Sequence, residues 1–207
     1  MKQNKNLRNK ILNICIITVV FFIIITGIML FKKYYNNHLN EKDISKFIED
    51  NYKITENVDK LNITENISAM DLEYKGYKVL GIIAIPKIDL AYPIIDPLND
   101  KNTALNISII KFAGGNLNEK GNVTLAGHNY YDNTMFAKLR DLNISDKIEV
   151  MDNKKAKVIY EIYDMQDVEP DDVSCIRTND INEKELTLIT CTKGNSKRLV
   201  VRAKEVK

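Results

Sequence analysis

Cys191 closes an apolar run, Thr187-Leu188-Ile189-Thr190-Cys191, and Arg198 opens the next one seven residues later. Far upstream, His128 follows a second apolar run, Val123-Thr124-Leu125-Ala126-Gly127. A thiol, a guanidinium and an imidazole at strand ends are the parts of a thiol acyl-transfer site. The nucleophile in such chemistry is the thiolate, and a nearby cation or histidinium favours that form. Arg198 could also donate hydrogen bonds to a developing acyl oxyanion, in a planar fork that lysine lacks. His128 could protonate a departing amine and later deprotonate an incoming one. Thr190 offers a hydroxyl and a backbone N–H beside the nucleophile, a candidate aid in substrate binding. Taken singly, each of these residues has a plainer use as core filler, turn residue or surface charge. Their combination points to catalysis, since the other histidine, His38, falls in a polar stretch.

The elements that must position these groups are readable. Lys193-Gly194-Asn195-Ser196 is a four-residue hairpin loop, with Gly and Asn able to take positive φ. That loop length pairs Thr192 with Lys197 and Cys191 with Arg198. Opposed residues share a face with β-carbons about 5 Å apart, and a slip of one residue would separate them. Further strands are expected at 79–85, 90–95, 122–127, 147–151, 156–163 and 198–206, with helical patterns at 103–110 and 135–142. For the second helix Asp132, Asn133 or Thr134 would be the cap. Many short strands with few helices predict a closed or nearly closed antiparallel barrel, residues 77–207. Cys175 is expected to be a free, buried thiol, because a disulfide with Cys191 would silence the nucleophile.

The remainder of the chain reads as an anchor and a spacer. Thirty Lys and Arg against 28 Asp and Glu give a net charge of +2, too balanced for a nucleic-acid binder. Ile11–Phe31 is 21 residues without a charge, and such a helix covers about 30 Å, a bilayer's hydrocarbon core. It follows a basic tail, residues 1–10. Lys32-Lys33-Tyr34-Tyr35 comes next, as suits an uncleaved transmembrane helix with interfacial aromatics. Four cations precede the span (Lys2, Lys5, Arg8, Lys10) and four follow it (Lys32, Lys33, Lys42, Lys46). The acid-free first set and the terminal amine lean toward a cytoplasmic N-terminus and an extracytoplasmic domain. Residues 32–76 read as a polar spacer in which Ile44, Phe47 and Ile48 could form a short amphipathic helix.

Thr187-Leu188-Ile189-Thr190-Cys191 resembles the TLxTC signature of sortases, the membrane-anchored cysteine transpeptidases of Gram-positive bacteria. Leu125-Ala126-Gly127-His128-Asn129 resembles their strand-end histidine motif, and Arg198-Leu199-Val200-Val201-Arg202 the strand with their essential arginine. Gly81-Ile82-Ile83-Ala84-Ile85-Pro86 is similar to their opening strand. The likeness runs from Val79 to the C-terminus in the family's order of His, Cys, Arg.

The resemblance implies a mainly β fold, an eight-stranded sortase-type barrel with short helices. It implies an enzyme that cuts an LPxTG-like C-terminal sorting signal between Thr and Gly. The protein would be held as a thioester on the cysteine and passed to an amine of a peptidoglycan precursor or a pilin. Carried over, Cys191 is the nucleophile, His128 the general acid/base and Arg198 the oxyanion and positioning residue. The connection before the cysteine strand is too short for the long extra helix of class B, which implies a class A- or D-like enzyme. Some sortases bind calcium in that connection. Asp164, Asp167, Glu169, Asp171 and Asp172 lie there, but their spacing favours a solvated acidic loop and no cofactor. The rival readings are a membrane-anchored thiol peptidase, with water as acceptor, and a non-catalytic anchored β-barrel that binds partners.

Overall fold

The computed structural model describes residues 2–52, 71–178, 180–192, 194 and 196–206. It divides into two compact units, Met1–Asp43 and Ile44–Lys207. The first is helical throughout its described residues, within helix α1 (Lys2–Tyr52). Its apolar side chains, including Phe21, Phe22, Ile24 and Phe31, are exposed. The helix is long and apolar enough to cross a membrane, as an anchor requires. Thr18 and Thr26 turn their hydroxyls back onto the carbonyls of Cys15 and Phe22, each at 2.9 Å, which satisfies both hydroxyls within the helix.

Helix α1 runs further than the expected span. Nothing between Lys32 and Tyr52 breaks it, since the stretch contains neither Gly nor Pro. The polar composition that suggested a spacer is here a helix surface. The i, i+3, i+4 set does pack: Ile44 is buried, and the Phe47 and Tyr74 rings lie 5.1 Å apart. The remaining spacer residues, 53–70, lie outside the described residues.

The second unit is a barrel. A two-residue strand β1 (Glu73–Tyr74) turns through Lys75 and Gly76, both at positive φ, into β2 (Tyr77–Ile85). Then follow β3 (Leu90–Ile95), α2 (Lys101–Leu105), β4 (Ile109–Gly114), β5 (Gly121–Ala126), β6 (Lys147–Asp152), β7 (Lys157–Val168), β8 (Lys184–Cys191) and β9 (Arg198–Glu205). The order is β2-β3-β4-β5-β8-β9-β7-β6, and β6 pairs back onto β2 through Gly81–Ala84, closing eight strands. Closure removes the exposed sheet edges and encloses one core of Ile83, Ile94, Leu125, Ile148, Tyr160, Leu188 and Val201.

Three expectations need correction. The barrel is mixed: β3 with β4, and β5 with β8, run parallel. Each of these pairs is joined by an intervening crossover, which pattern along the chain does not reveal. The helical pattern at 103–110 is half helix and half strand. Asp100 Oδ1 caps α2 by accepting the Thr103 N–H at 3.0 Å, and the helix stops at Leu105. The β-branched Ile109-Ile110 begins β4, a strand absent from the sequence reading. At 135–142 the chain forms a 3-10 helix, Phe136–Asp141, without a side-chain cap. Asp132 instead accepts the Thr134 hydroxyl at 2.7 Å, while Phe136 and Leu139 are driven into the core.

Strand β7 also outruns its expected end at Tyr163. A bulge between Ile162 and Asp164 lets it continue to Val168 against β9. Asp164 and Asp167 are therefore strand residues, and the connection to β8 is residues 169–183.

Candidate active site

Cys191 ends β8 and faces Arg198, which begins β9, as direct register partners. The turn is closed by the Thr192 N–H on the Lys197 carbonyl at 3.0 Å, and by the Lys197 N–H on Thr192 Oγ1 at 3.1 Å. Gly194 takes φ +81° as its loop position requires; Lys193 and Asn195 lie outside the described residues. All three cysteines are free, and Cys175 is buried.

His128 is placed by close packing at the end of β5. A β-carbon on Gly127 would sit 2.8 Å from the ring of the fully buried Phe136, so the chain passes there only without a side chain. The Gly127 N–H reaches the Ile189 carbonyl at 3.2 Å, and the Phe136 N–H reaches the His128 carbonyl at 3.0 Å. Asn129 Nδ2 donates to the Cys191 carbonyl at 2.8 Å, tying the histidine turn to the end of the cysteine strand.

The imidazole meets Asn106 and Tyr130. His128 Nε2 lies 3.1 Å from Asn106 Oδ1, which also accepts the Tyr130 hydroxyl at 3.3 Å, and the His128 and Tyr130 ring centroids are 4.7 Å apart. With Asn106 Oδ1 as acceptor, Nε2 carries the hydrogen and Nδ1 keeps its lone pair. Burial pushes the imidazole pKa below its ordinary 6.5, because desolvation penalises the charged ring. The neutral ring therefore persists to lower pH than in a free histidine. In an NMR pH titration, the His128 ring protons should move with a midpoint below 6.5; a midpoint at or above 6.5 would show that a charged partner outweighs burial.

His128, Cys191 and Arg198 line one groove of about 280 Å³. Its walls are mostly apolar: Leu105 at the end of α2, Ile110 and Phe112 of β4, Ile189 of β8, and Val173 and Ile176 of the β7–β8 connection. That connection lies on the outer face of the sheet, where Cys175 packs against Val168 and Val200. Burial raises the Cys175 thiol pKa, as suits an inert filler.

Asn122 clamps the connection. It is buried, donates to the Arg177 carbonyl at 3.2 Å, and accepts the Thr187 hydroxyl at 3.0 Å. Asn122→Ala should raise amide deuterium exchange in residues 169–183 by about tenfold, since a buried hydrogen-bonding partner is lost. KM for a peptide should rise more than kcat falls, because the clamp shapes a groove wall and does not touch Cys191. Unchanged exchange would show that the apolar contacts alone hold the connection.

The other residues singled out from sequence are used differently. Thr190 lies next to Cys191 in the strand, so its side chain takes the opposite face. Its hydroxyl donates to the Gly127 carbonyl at 2.8 Å and joins the ends of β5 and β8, while the residue still lines the groove. Asp167 pairs with Arg140 at 2.5 Å and Glu169 with Lys197 at 3.2 Å. Asp172 accepts the Ser174 N–H at 2.8 Å, and the Ser174 hydroxyl first, with that N–H second, holds its carboxyl below the usual range. Asp171 is exposed on the same turn. Among the described residues no three His, Cys, Asp or Glu side chains gather as a metal cage.

Asn106, Asn129, Tyr130 and Asn122 carry no signal in sequence that marks them as site residues. Asn129 and Tyr130 adjoin the histidine; Asn106 and Asn122 reach the site only through the fold.

Comparison with known proteins agrees with this geometry. A family model described as the Sortase domain matches residues 83–206. Sortase A of Staphylococcus aureus is 27% identical over 185 residues, covering 86% of each chain. Among solved structures, sortase A from Corynebacterium diphtheriae is 29% identical with a TM-score of 0.57, over 63% of this chain and 62% of that one. A sortase D5 transpeptidase from Clostridium perfringens is 26% identical with a TM-score of 0.56, over 63% of this chain and 80% of that one. The chain belongs to the sortase family, as a cysteine transpeptidase on an eight-stranded barrel.

Proposed function

We propose that this protein is held in the cytoplasmic membrane by α1, N-terminus inside, and acts outside on secreted proteins with an LPxTG-like C-terminal sorting signal. The observation that carries the reading is the Cys191–Arg198 register pair on the groove that His128 also lines. Neutral His128 takes the Cys191 thiol proton, the resulting thiolate attacks the Thr carbonyl, and the carbonyl electrons move onto oxygen, where Arg198 donates hydrogen bonds. The C–N bond to Gly breaks as His128 gives a proton to the departing amine, leaving a thioester on Cys191. An acceptor amine, on a peptidoglycan precursor or a pilin lysine, then attacks the thioester. His128 takes its proton, and the thiolate leaves as the new amide forms. The largely apolar groove walls suit the aliphatic end of such a signal, and excluding water there favours amine over hydrolysis.

A connection of residues 169–183 with, among its described residues, only a three-residue 3-10 turn supports a class A- or D-like enzyme over class B. The acidic residues of that region are proposed as a solvated face, and the enzyme as independent of calcium.

Mass spectrometry of the full chain in detergent with LPxTG-type pentapeptides tests the reading. The expected products are an acyl adduct on Cys191 and, with an added amine, an amide. Adduct followed only by free acid would favour the thiol peptidase, and no adduct with any sorting peptide would overturn the substrate assignment.

A further inference from the structure

Strand β5 ends where the imidazole and the thiol must meet, and its last hydrogen bond to β8 is made by a side chain. In a parallel pair, alternate residues of one strand donate their N–H groups to carbonyls of the neighbour. The Gly127 N–H reaches the Ile189 carbonyl at 3.2 Å, so the next donor along this side is Asn129 and the next acceptor is Cys191. The backbone turns away before that bond can form. Asn129 makes an antiparallel bridge with Met135, and the His128 carbonyl accepts the Phe136 N–H at 3.0 Å. The Cys191 carbonyl is met by the Asn129 side chain, whose Nδ2 donates to it at 2.8 Å.

A side-chain amide thus stands in for a backbone N–H, and it reconciles two demands. Residues 128 and 129 must leave the ladder for the imidazole to reach the rim, yet they must stay tied to β8 to remain beside the thiol. Asparagine carries the same amide donor as the peptide group it replaces, on a short side chain. The far side of the turn is held as well. Met135 has φ +50°, and its N–H is taken by the Tyr92 hydroxyl at 3.0 Å. At the ring, Asn106 Oδ1 lies 3.1 Å from Nε2, which leaves the Nδ1 lone pair for the thiol proton. Asn106 therefore sets the tautomer, and Asn129 sets where the histidine stands relative to Cys191.

We propose that Asn129 is a positioning residue for acyl transfer: its bond to the Cys191 carbonyl keeps the His128 imidazole within proton-transfer reach of the Cys191 sulfur, which rests on the reading of Cys191 as nucleophile and His128 as its base. Asn129 is not among the residues lining the groove, so it acts through His128 and not on the peptide. Proton transfer needs the base within hydrogen-bond reach, and a misplacement of about 1 Å is enough to slow it severely. Loss of the amide also takes a donor from the Cys191 carbonyl in a partly buried place.

The test is a double-mutant cycle read on the sulfur itself. Alkylation of Cys191 by iodoacetamide at neutral pH is followed by peptide mass spectrometry in the full chain in detergent, for wild type, Asn129→Ala, His128→Gln and the double variant. His128→Gln should slow alkylation about tenfold, since no base takes the thiol proton. Asn129→Ala should slow it nearly as much, yet cost no more than about twofold in the His128→Gln background, because the two residues act as one unit. With a sorting peptide and an amine, Asn129→Ala should lower kcat about tenfold and leave KM within about twofold. Asn129→Leu fills the space without a donor and should repeat both losses, and melting temperatures should fall by only a few degrees. Equal slowing by Asn129→Ala with and without His128 overturns the proposal, because the asparagine then acts on the cysteine strand alone. Wild-type rates in Asn129→Ala or Asn129→Leu overturn it too, the latter in favour of packing. Wild-type alkylation in His128→Gln would instead remove the base assignment, and this inference with it.

Discussion

Cys191→Ala should reduce amide formation from a sorting peptide and an amine by at least about three orders of magnitude, with the barrel still folded. Without the thiol no thioester forms, and the groove and guanidinium alone cannot supply a covalent intermediate. The substitution removes one partly exposed sulfur at a strand end, so the melting temperature should stay within a few degrees of wild type. Thermal melting and single-turnover product analysis together make the check. Amide product at the wild-type rate would reject the catalytic role and restore the reading of an anchored binding barrel. Cys175 provides an internal control: Cys175→Ser should keep most of the activity, because that thiol is packed under the β7–β8 connection.

Arg198→Lys should lower kcat by about a hundredfold or more, in the range seen when one oxyanion donor is removed. Charge is conserved in this variant, so the loss reports geometry: an ammonium lacks the planar fork that can follow the oxygen as it becomes negative. The neighbouring contacts are modest. Arg198 Nη1 donates to the Lys197 carbonyl at 3.3 Å, which leaves its other donors available to substrate. Steady-state kinetics should show the effect mainly in kcat, since the interaction strengthens only as charge develops. Wild-type kcat in Arg198→Lys would remove the oxyanion argument and leave Arg198 a purely electrostatic role.

The acid/base partner shows how local and distant causes combine. His128 could be picked from the chain because it ends an apolar run after a glycine. Its protonation preference could not, because this comes from half-burial and from Asn106, 22 residues upstream at the end of α2. The same holds for Thr190, where sequence adjacency to Cys191 suggested help with substrate. Strand alternation turns its hydroxyl to the opposite face, and the bond to Gly127 makes it part of the scaffold.

The chain by itself determined the long apolar span, most of the strands and the Cys191–Arg198 register. These depend on short-range rules: the length of an apolar run, the two-residue period of a strand, and a hairpin loop that leaves one register. It did not reveal β4, the true end of β7 or the two parallel pairings. Ile109-Ile110 fits a helical and an extended period alike, and acidic residues on an outward strand face look like loop. Tertiary structure alone decided which strand lies beside which. Parallel pairing of β5 with β8 joins residues more than sixty positions apart, and only that pairing carries His128 to the rim where Cys191 ends. Closure of the barrel through β2 and β6 fixed the rest, because every strand edge had to find a partner within one chain.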